Sequence, residues 1–306
     1  MGTMKTIGGT WYIMPTTFDE SGNLDLESQV ALTNSVIEWG VDGITLLGVM
    51  GEASALTVEE RGKILQAVVS ATAGRVPIAA GCSANAPYAV AELCEQAQGL
   101  GAEFAMVSAP QLLRDADAMP GFYSRVQERT NIPLILQDEP AATGALIPSS
   151  VWSKCLAETG TPYLKLEDPP TSSKISALLK IAPETRIFGG LGGVAAYYEM
   201  SRGAVGTMTG FTYPEILSAI RVDIENKKKE SALKTYSNYL PLILFEAQLV
   251  IGLGIRKELL KRRGVIKSGV TRIGTKQPAP QVLAELDDVL KVVGITPSSS
   301  PFVVNK

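Results

Sequence analysis

The chain has 306 residues and a net charge of −3, from 28 basic and 31 acidic side chains, which excludes electrostatic binding to nucleic acid or an anionic membrane surface. It contains no histidine, so Ser-His-Asp and Cys-His chemistry, His-based catalytic zinc sites and histidine bases are excluded, leaving Lys, Glu, Asp, Tyr, Cys or water for proton transfer. Cys82, Cys94 and Cys155 are too scattered for a disulfide framework or thiolate zinc site, and no apolar run reaches the roughly 18 residues of a membrane span.

No charged-then-apolar leader opens the sequence, so a reduced, cytoplasmic protein is expected. The length suits one large α/β barrel with an appendage, or two ordinary domains.

In chain order, Trp11 to Met14 reads as a first strand, ending at Pro15-Thr16-Thr17, and Leu26 to Trp39 as an amphipathic helix. Gly43 to Leu47 is a second strand. Thr57 and Glu60 have the spacing of a capping box at the start of the next helix. Val76 to Ala80 is a third strand and Tyr88 to Leu100 a helix. Phe104 to Val107, Leu134 to Leu136, Tyr163 to Leu166, Arg186 to Phe188 and Gly203 to Met208 supply five more strands, most of them separated by helical segments.

Eight apolar strands alternating with helices predict a (β/α)8 TIM barrel, with a doubly wound open sheet as the alternative. No G-x-G-x-x-G follows the first strand, which speaks against a dinucleotide fold. Gly189-Gly190-Leu191-Gly192-Gly193 either lets backbone approach a ligand or is a flexible loop. After Pro214 the pattern is wholly helical, near 214–226, 230–251, 253–263 and 280–293. The division expected is therefore a barrel domain over 1–213 and a C-terminal helical extension over 214–306, with a loose tail from Ser298. Lys227-Lys228-Lys229 reads as a solvated helix end. Glu246 and Arg256, on the appended helices, are expected at a subunit contact or in solvent.

Lys165 stands inside the apolar sixth strand, where its ammonium loses water unless it has a partner or a task. Burial favours the neutral amine, the form that attacks a carbonyl to give a Schiff base. The plain alternative is a lysine that snorkels to the strand end or pairs with Glu167. Strand alternation puts Tyr163, Lys165 and Glu167 on one face, with Glu167 nearest the C-terminal end, where barrel enzymes keep their chemistry.

The segment Gly48-Val49-Met50-Gly51-Glu52-Ala53-Ser54-Ala55-Leu56-Thr57-Val58-Glu59-Glu60-Arg61 resembles the G-T-T-G-E-x-x-x-L-T-x-E-E-R signature of the dihydrodipicolinate synthase / N-acetylneuraminate lyase family. Pro15-Thr16-Thr17-Phe18, Gly81, Ile132-Pro133 and Lys165 follow as further landmarks, so the resemblance covers nearly the whole chain. It implies a TIM barrel assembled as a homotetramer, a dimer of dimers. It also implies a Schiff base between Lys165 and a 2-oxo acid substrate, whose carboxylate is held by backbone N–H groups carried here by Val49 and Met50 beside Gly48.

The chain departs from the family at several positions. The two loop threonines are Val49 and Met50, Gln137 stands at the tyrosine ending the fifth strand, and Gln111-Leu112 replace the tyrosine pair after the fourth. Ala142 stands at the synthase's arginine. The Tyr-Thr-Tyr relay of a synthase is thus missing, and glutamine does not ionise near neutral pH. Gln137-Asp138-Glu139-Pro140, with Tyr163-x-Lys165-x-Glu167, is closer to a branch that includes L-2-keto-3-deoxyarabonate dehydratase.

The expected activity is dehydration of a 2-keto-3-deoxy sugar acid, with Lys165 as nucleophile, Glu167 as base at C3 and Gln137 as hydrogen-bond partner of the substrate. A pyruvate-dependent aldolase, and a non-catalytic 2-oxo acid binding protein, are the alternatives. Tyr163, Gly190 and Thr209 are further substrate-binding candidates, each with an equally plain structural reading. Glu52 is read as structural, and nothing in the pattern calls for a metal or a cofactor.

Overall fold

The structure, a computed structural model, describes residues 6–111, 113, 115–272 and 277–305. Eight strands run β1 Gly9–Ile13, β2 Gly43–Leu46, β3 Ile78–Gly81, β4 Phe104–Ser108, β5 Leu134–Asp138, β6 Tyr163–Leu166, β7 Arg186–Gly189 and β8 Gly206–Thr209. Each pairs in parallel with the next, and β8 pairs with β1, so the sheet closes into a barrel and the open-sheet alternative falls.

Among the described residues the helices are α1 Leu26–Glu38, α2 Val58–Thr72, α3 Pro87–Gly99, α4 Met119–Gln127, α5 Pro140–Thr143, α6 Ser149–Thr159, α7 Thr171–Ile181, α8 Ala196–Ser201, α9 Pro214–Glu225, α10 Lys229–Glu246, α11 Gly252–Arg262 and α12 Pro280–Val292. The predicted strand from Gly203 begins instead at Gly206, because Gly203 turns with φ of +106°. The capping box at Thr57 is formed: its hydroxyl accepts from Glu60 N–H, and the Glu60 carboxylate accepts from Thr57 N–H.

The barrel lumen is filled, as barrel closure requires. Trp11, Phe104, Tyr163 and Phe188 meet edge to face at 5.8–6.1 Å between ring centroids, contacts worth about 0.5–1.5 kcal/mol each beyond area burial. Gly43 makes room for that plug, since a Cβ there would lie 2.4 Å from the Trp11 indole. The aromatic layer seals the lower barrel and leaves the C-terminal strand ends for a site.

Helix α9 packs on β1 and α8 and completes the outer ring, so the extension expected from 214 opens with the barrel's own last helix. Helix α10 then lies on α9, with α11 and α12 against it. The tail is held in place. Buried Arg263 stacks on Trp39 at 3.5 Å and donates to the Ser298 and Ser300 carbonyls, while Phe302 N–H donates to Glu215 at 2.8 Å. The expected loose tail is thus corrected through Asn305, while Lys306 lies outside the described residues. Among the described residues no helix is long and apolar enough to cross a membrane.

Candidate active site

The strand register sets Ser108, Gln137, Lys165 and Phe188 side by side across β4 to β7. Phe104 and Tyr163 share this face lower in the barrel, so the row points into the lumen, with the Phe188 ring packed onto Trp11 in the aromatic plug. Lys165 is buried, and its ammonium contacts Glu167 Oε2 at 2.8 Å. The pairing alternative for Lys165 is therefore realised. The same carboxylate is what a Schiff-base lysine needs beside it to take up and return protons.

Glu167 is held from three sides. Its Oε2 also accepts from Gln137 Nε2 at 2.8 Å, and its Oε1 accepts from the backbone N–H of Leu191 at 3.1 Å. Gly190 permits this, because a Cβ there would lie 2.3 Å from Glu167 Oε1. The glycine-rich segment after β7 thus brings backbone close to a side chain of the centre. Gly189 does the same for buried Glu199, whose carboxylate would lie 1.9 Å from an added Cβ. Burial raises Glu199 to about 7, with the charge of Glu167 adding and the Thr171 hydroxyl opposing.

Gln137 uses both amide hydrogens. Its second acceptor is Glu139 Oε2 at 2.9 Å. Burial and the neighbouring charge of Glu167 raise Glu139 to about 7, with Lys165 acting in the opposite sense. The adjacent Asp138 points out of the barrel to Lys174 at 2.5 Å, where burial lifts it to about 6 against the pull of that lysine.

A cavity of about 360 Å³ opens at the strand ends, walled by Gly48 and Val49 on one side and Gln137 and Glu139 on the other. Lys165 and Glu167 lie behind Gln137 and outside that wall. Ser54, Ser83, Asn85, Ser108, Gln111 and Thr143 add polar groups to a lining that is otherwise largely apolar. The side chain of Gln111 donates to the Ala142 carbonyl, tying the loops after β4 and β5 together; Leu112 lies outside the described residues.

The β2 loop is bracketed by Leu47 and Glu52, both left-handed at φ of 58° and 52°. Such backbone costs of order 1–2 kcal/mol at a non-glycine residue and persists where packing imposes it. Gly81 accommodates the bend, since a Cβ there would lie 2.1 Å from the Leu47 carbonyl. Within the loop, Gly51 and Glu52 N–H donate back to Gly48 and Val49 carbonyls. Among the described residues the Val49 and Met50 N–H groups donate to no protein acceptor. Among the described residues Glu52 bonds groups distant in the sequence, Lys257 Nζ at 2.5 Å and Arg272 N–H at 2.6 Å, rather than the loop amides a structural role suggested.

Two substrate-binding candidates sit elsewhere. Tyr163 is in the aromatic layer, where its hydroxyl lies 3.4 Å from Ile7 N–H, toward the closed end. The Thr209 hydroxyl accepts from Phe211 N–H at 3.0 Å, and its strand partner is outward-facing Tyr12. Met50 lies under Arg256, whose guanidinium approaches the Met50 sulfur, Glu246 at 3.5 Å and Gly192. This corrects the expectation for Glu246 and Arg256. Both are buried, and Arg256 reaches back to the barrel mouth. Burial raises Glu246 to about 7, opposed by Arg256 and Thr212.

Glu139 and Arg256 were given no place at the site by the sequence pattern. Glu139 carried a signal, an acidic residue immediately past a strand ending in Gln137-Asp138. Arg256 carried none, being 206 positions from the loop residue Met50 that it reaches.

Fold and centre together define the class: a parallel (β/α)8 barrel with a lysine–carboxylate pair at the C-terminal mouth, where barrel enzymes work. The profile of the dihydrodipicolinate synthetase family matches residues 6–291, and the chain belongs to that family of lyases. L-2-keto-3-deoxyarabonate dehydratase of Azospirillum brasilense is 29% identical over 284 residues, covering 91% of this chain and 92% of its own. The 4-hydroxy-tetrahydrodipicolinate synthase of Laribacter hongkongensis is 34% identical over 127 residues, 41% of this chain and 44% of its own. Dihydrodipicolinate synthase of Rhodopseudomonas palustris superposes with a TM-score of 0.89 at 28% identity, covering 94% of this chain and 97% of that one.

Proposed function

We propose that this protein is a Schiff-base lyase that dehydrates a 2-keto-3-deoxy sugar acid. The observation that carries the proposal is Glu167, whose one carboxylate touches both the Lys165 ammonium and the Gln137 amide. The relative with the fuller coverage is named as a dehydratase of such an acid, and the polar groups in the cavity lining suit a hydroxylated chain.

Lys165 passes a proton to Glu167, and its free amine attacks the C2 carbonyl. That proton and a second one from the attacking nitrogen move through Glu167 to the C2 oxygen, which leaves as water, and an iminium remains. Glu167 then removes a C3 proton, the C–H electron pair forms C2=C3, and the iminium pair moves to nitrogen. That pair returns, C3=C4 forms, and the C4 hydroxyl departs once protonated; water then adds at C2 of the resulting iminium and the C–N bond breaks, freeing the 2-oxo product and Lys165. Val49 and Met50 N–H groups, unused within the protein, are placed to take the substrate carboxylate. The active form in this proposal is a homotetramer, to be checked by light scattering.

The test is borohydride trapping with a 2-oxo acid, read as a mass increase on Lys165, together with a panel of 2-keto-3-deoxy sugar acids. Dehydrated 2-oxo acid product is expected. Release of pyruvate plus aldehyde instead would replace dehydratase by aldolase, and no adduct with any acid would remove the lyase reading. Glu167→Gln should lower turnover by about 10²–10⁴ while trapping persists.

A further inference from the structure

We propose that Glu139 is the general acid that protonates the departing C4 hydroxyl, opposite Glu167 as the base at C3. This rests on the dehydratase reading above and adds a residue to it.

Three observations converge on Glu139. First, it lines the same cavity as Gln137, at the wall facing Gly48 and Val49. A substrate with its carboxylate at the β2 loop and C2 at Lys165 runs its C4 end along that wall. Second, one amide bridges two carboxyl groups. Gln137 Nε2 donates to Glu139 Oε2 at 2.9 Å and to Glu167 Oε2 at 2.8 Å. A primary amide nitrogen has two hydrogens, so this fork consumes both and fixes the spacing of the two carboxyl groups. Third, the two environments differ. Glu167 has a lysine ammonium and a backbone N–H besides the amide. Glu139 is a partly buried carboxyl that accepts from the Gln137 amide and has the charge of Glu167 beside it.

Two neighbouring carboxyl groups in unlike surroundings divide the acid and base roles between them. Glu167, which faces the Lys165 ammonium, takes the role of base, and Glu139, raised by burial, that of acid. Gln137 cannot itself carry a proton in this pH range, so it serves as the bridge that holds donor and acceptor apart.

The balance of the step is simple. Glu167 accepts the C3 proton. As the enamine pair moves to form C3=C4, the C4–O bond breaks, and the leaving oxygen takes the Glu139 proton to become water. One proton has moved onto Glu167 and one off Glu139; Glu139 regains its proton from solvent at the cavity, and Glu167 gives its proton up as water hydrolyses the product iminium. No oxidant, reductant or co-reactant is needed.

The experiment compares three reactions in wild type, Glu139→Gln and Glu139→Asp. These are dehydration of a 2-keto-3-deoxypentonate, exchange of the pyruvate methyl protons in D2O, and fluoride release from the 4-deoxy-4-fluoro analogue. Methyl exchange needs the Schiff base and a base but no leaving group, and fluoride departs with less help from a proton.

In Glu139→Gln, dehydration should fall by about 10²–10⁴, while exchange stays within about threefold and fluoride release falls less than about tenfold. Glu139→Asp, which keeps an acid, should dehydrate faster than Glu139→Gln. In wild type, kcat/KM for dehydration should decline as pH rises through about 7, and Glu139→Gln should lack that limb.

The proposal is overturned if Glu139→Gln dehydrates at the wild-type rate. It is also overturned if dehydration, exchange and fluoride release fall in parallel, which marks a structural role. If neither substituted protein folds, the wild-type pH limb and the wild-type preference for the fluoro analogue decide. Absence of both the borohydride adduct and methyl exchange in wild type would instead defeat the lyase reading, and the role of Glu139 with it.

Discussion

Two buried lysine–glutamate pairs occupy this barrel, and they are built for different ends. Lys257 and Glu52 meet at 2.5 Å, and the Lys257 ammonium also donates to the Val270 carbonyl while Glu52 accepts from Arg272 N–H. Burial pulls Lys257 below the usual lysine range, and Glu52 resists that pull. This pair clamps the β2 loop to the C-terminal helices and does not line the cavity that Gln137 and Glu139 wall. Lys165 and Glu167 meet at 2.8 Å just behind a cavity wall, with an amide and a second carboxyl group in reach. Burial of a charge pair therefore does not by itself mark a catalytic lysine. Adjacency to a cavity, and a carboxylate shared with other proton-handling groups, separates the two.

Lys165→Ala should break the comparison most sharply. Trapping by borohydride should vanish and turnover fall by roughly 10⁴ or more, as for loss of a nucleophile. Its urea unfolding midpoint should move less than that of Lys257→Met, because Glu167 keeps its amide and backbone donors. Lys257→Met leaves the Glu52 charge buried without that ammonium and should cost about 3–5 kcal/mol in urea unfolding. Trapping at Lys165 should persist wherever Lys257→Met is folded. Equal loss of trapping in both variants would erase the distinction.

A third variant sharpens the electrostatics behind Lys165 and Glu167. Glu199 is fully buried and raised from 4.5 to about 7. Between those values the unfolded chain holds fewer protons than the folded one, so wild-type stability falls as pH rises through that window. Glu199→Gln should lose this slope. The stability difference between variant and wild type should grow by on the order of 3 kcal/mol from pH 4.5 to above 7, read by urea unfolding at each pH. A constant difference would mean that the buried carboxyl is held in one ionisation state. Thr57→Ala, which opens the capping box beneath the structural clamp, should cost only about 1 kcal/mol and leave turnover unchanged.

Much of the barrel was legible because a parallel strand buried on both faces is written as a short apolar run, and the helices between carry their own caps. The Thr57–Glu60 box and the pairing of Lys165 with Glu167 were visible for the same reason: residues three apart at a helix start, or two apart on a strand, have nearly fixed relative geometry. The tail was misread as loose because its anchors, Arg263 and Glu215, lie far away in sequence. Tyr163 shares a strand face with Lys165, but whether its hydroxyl looks up or down the lumen depends on the rings it packs against.

What the sequence by itself determined is local in origin: the alternation of strands and helices, the strand face that carries Lys165 and Glu167, and the loop signature from Gly48 to Arg61. Only the tertiary structure decided which distant groups meet that face. Closure of the barrel put Gln137 beside Lys165, the turn after β5 aimed Glu139 into the cavity, and packing of α11 returned Arg256 and Lys257 to the mouth and the β2 loop. The physical reason is range. Backbone sterics and hydrogen-bond periodicity act over a few residues, whereas burial pairs charges wherever the folded chain brings them together.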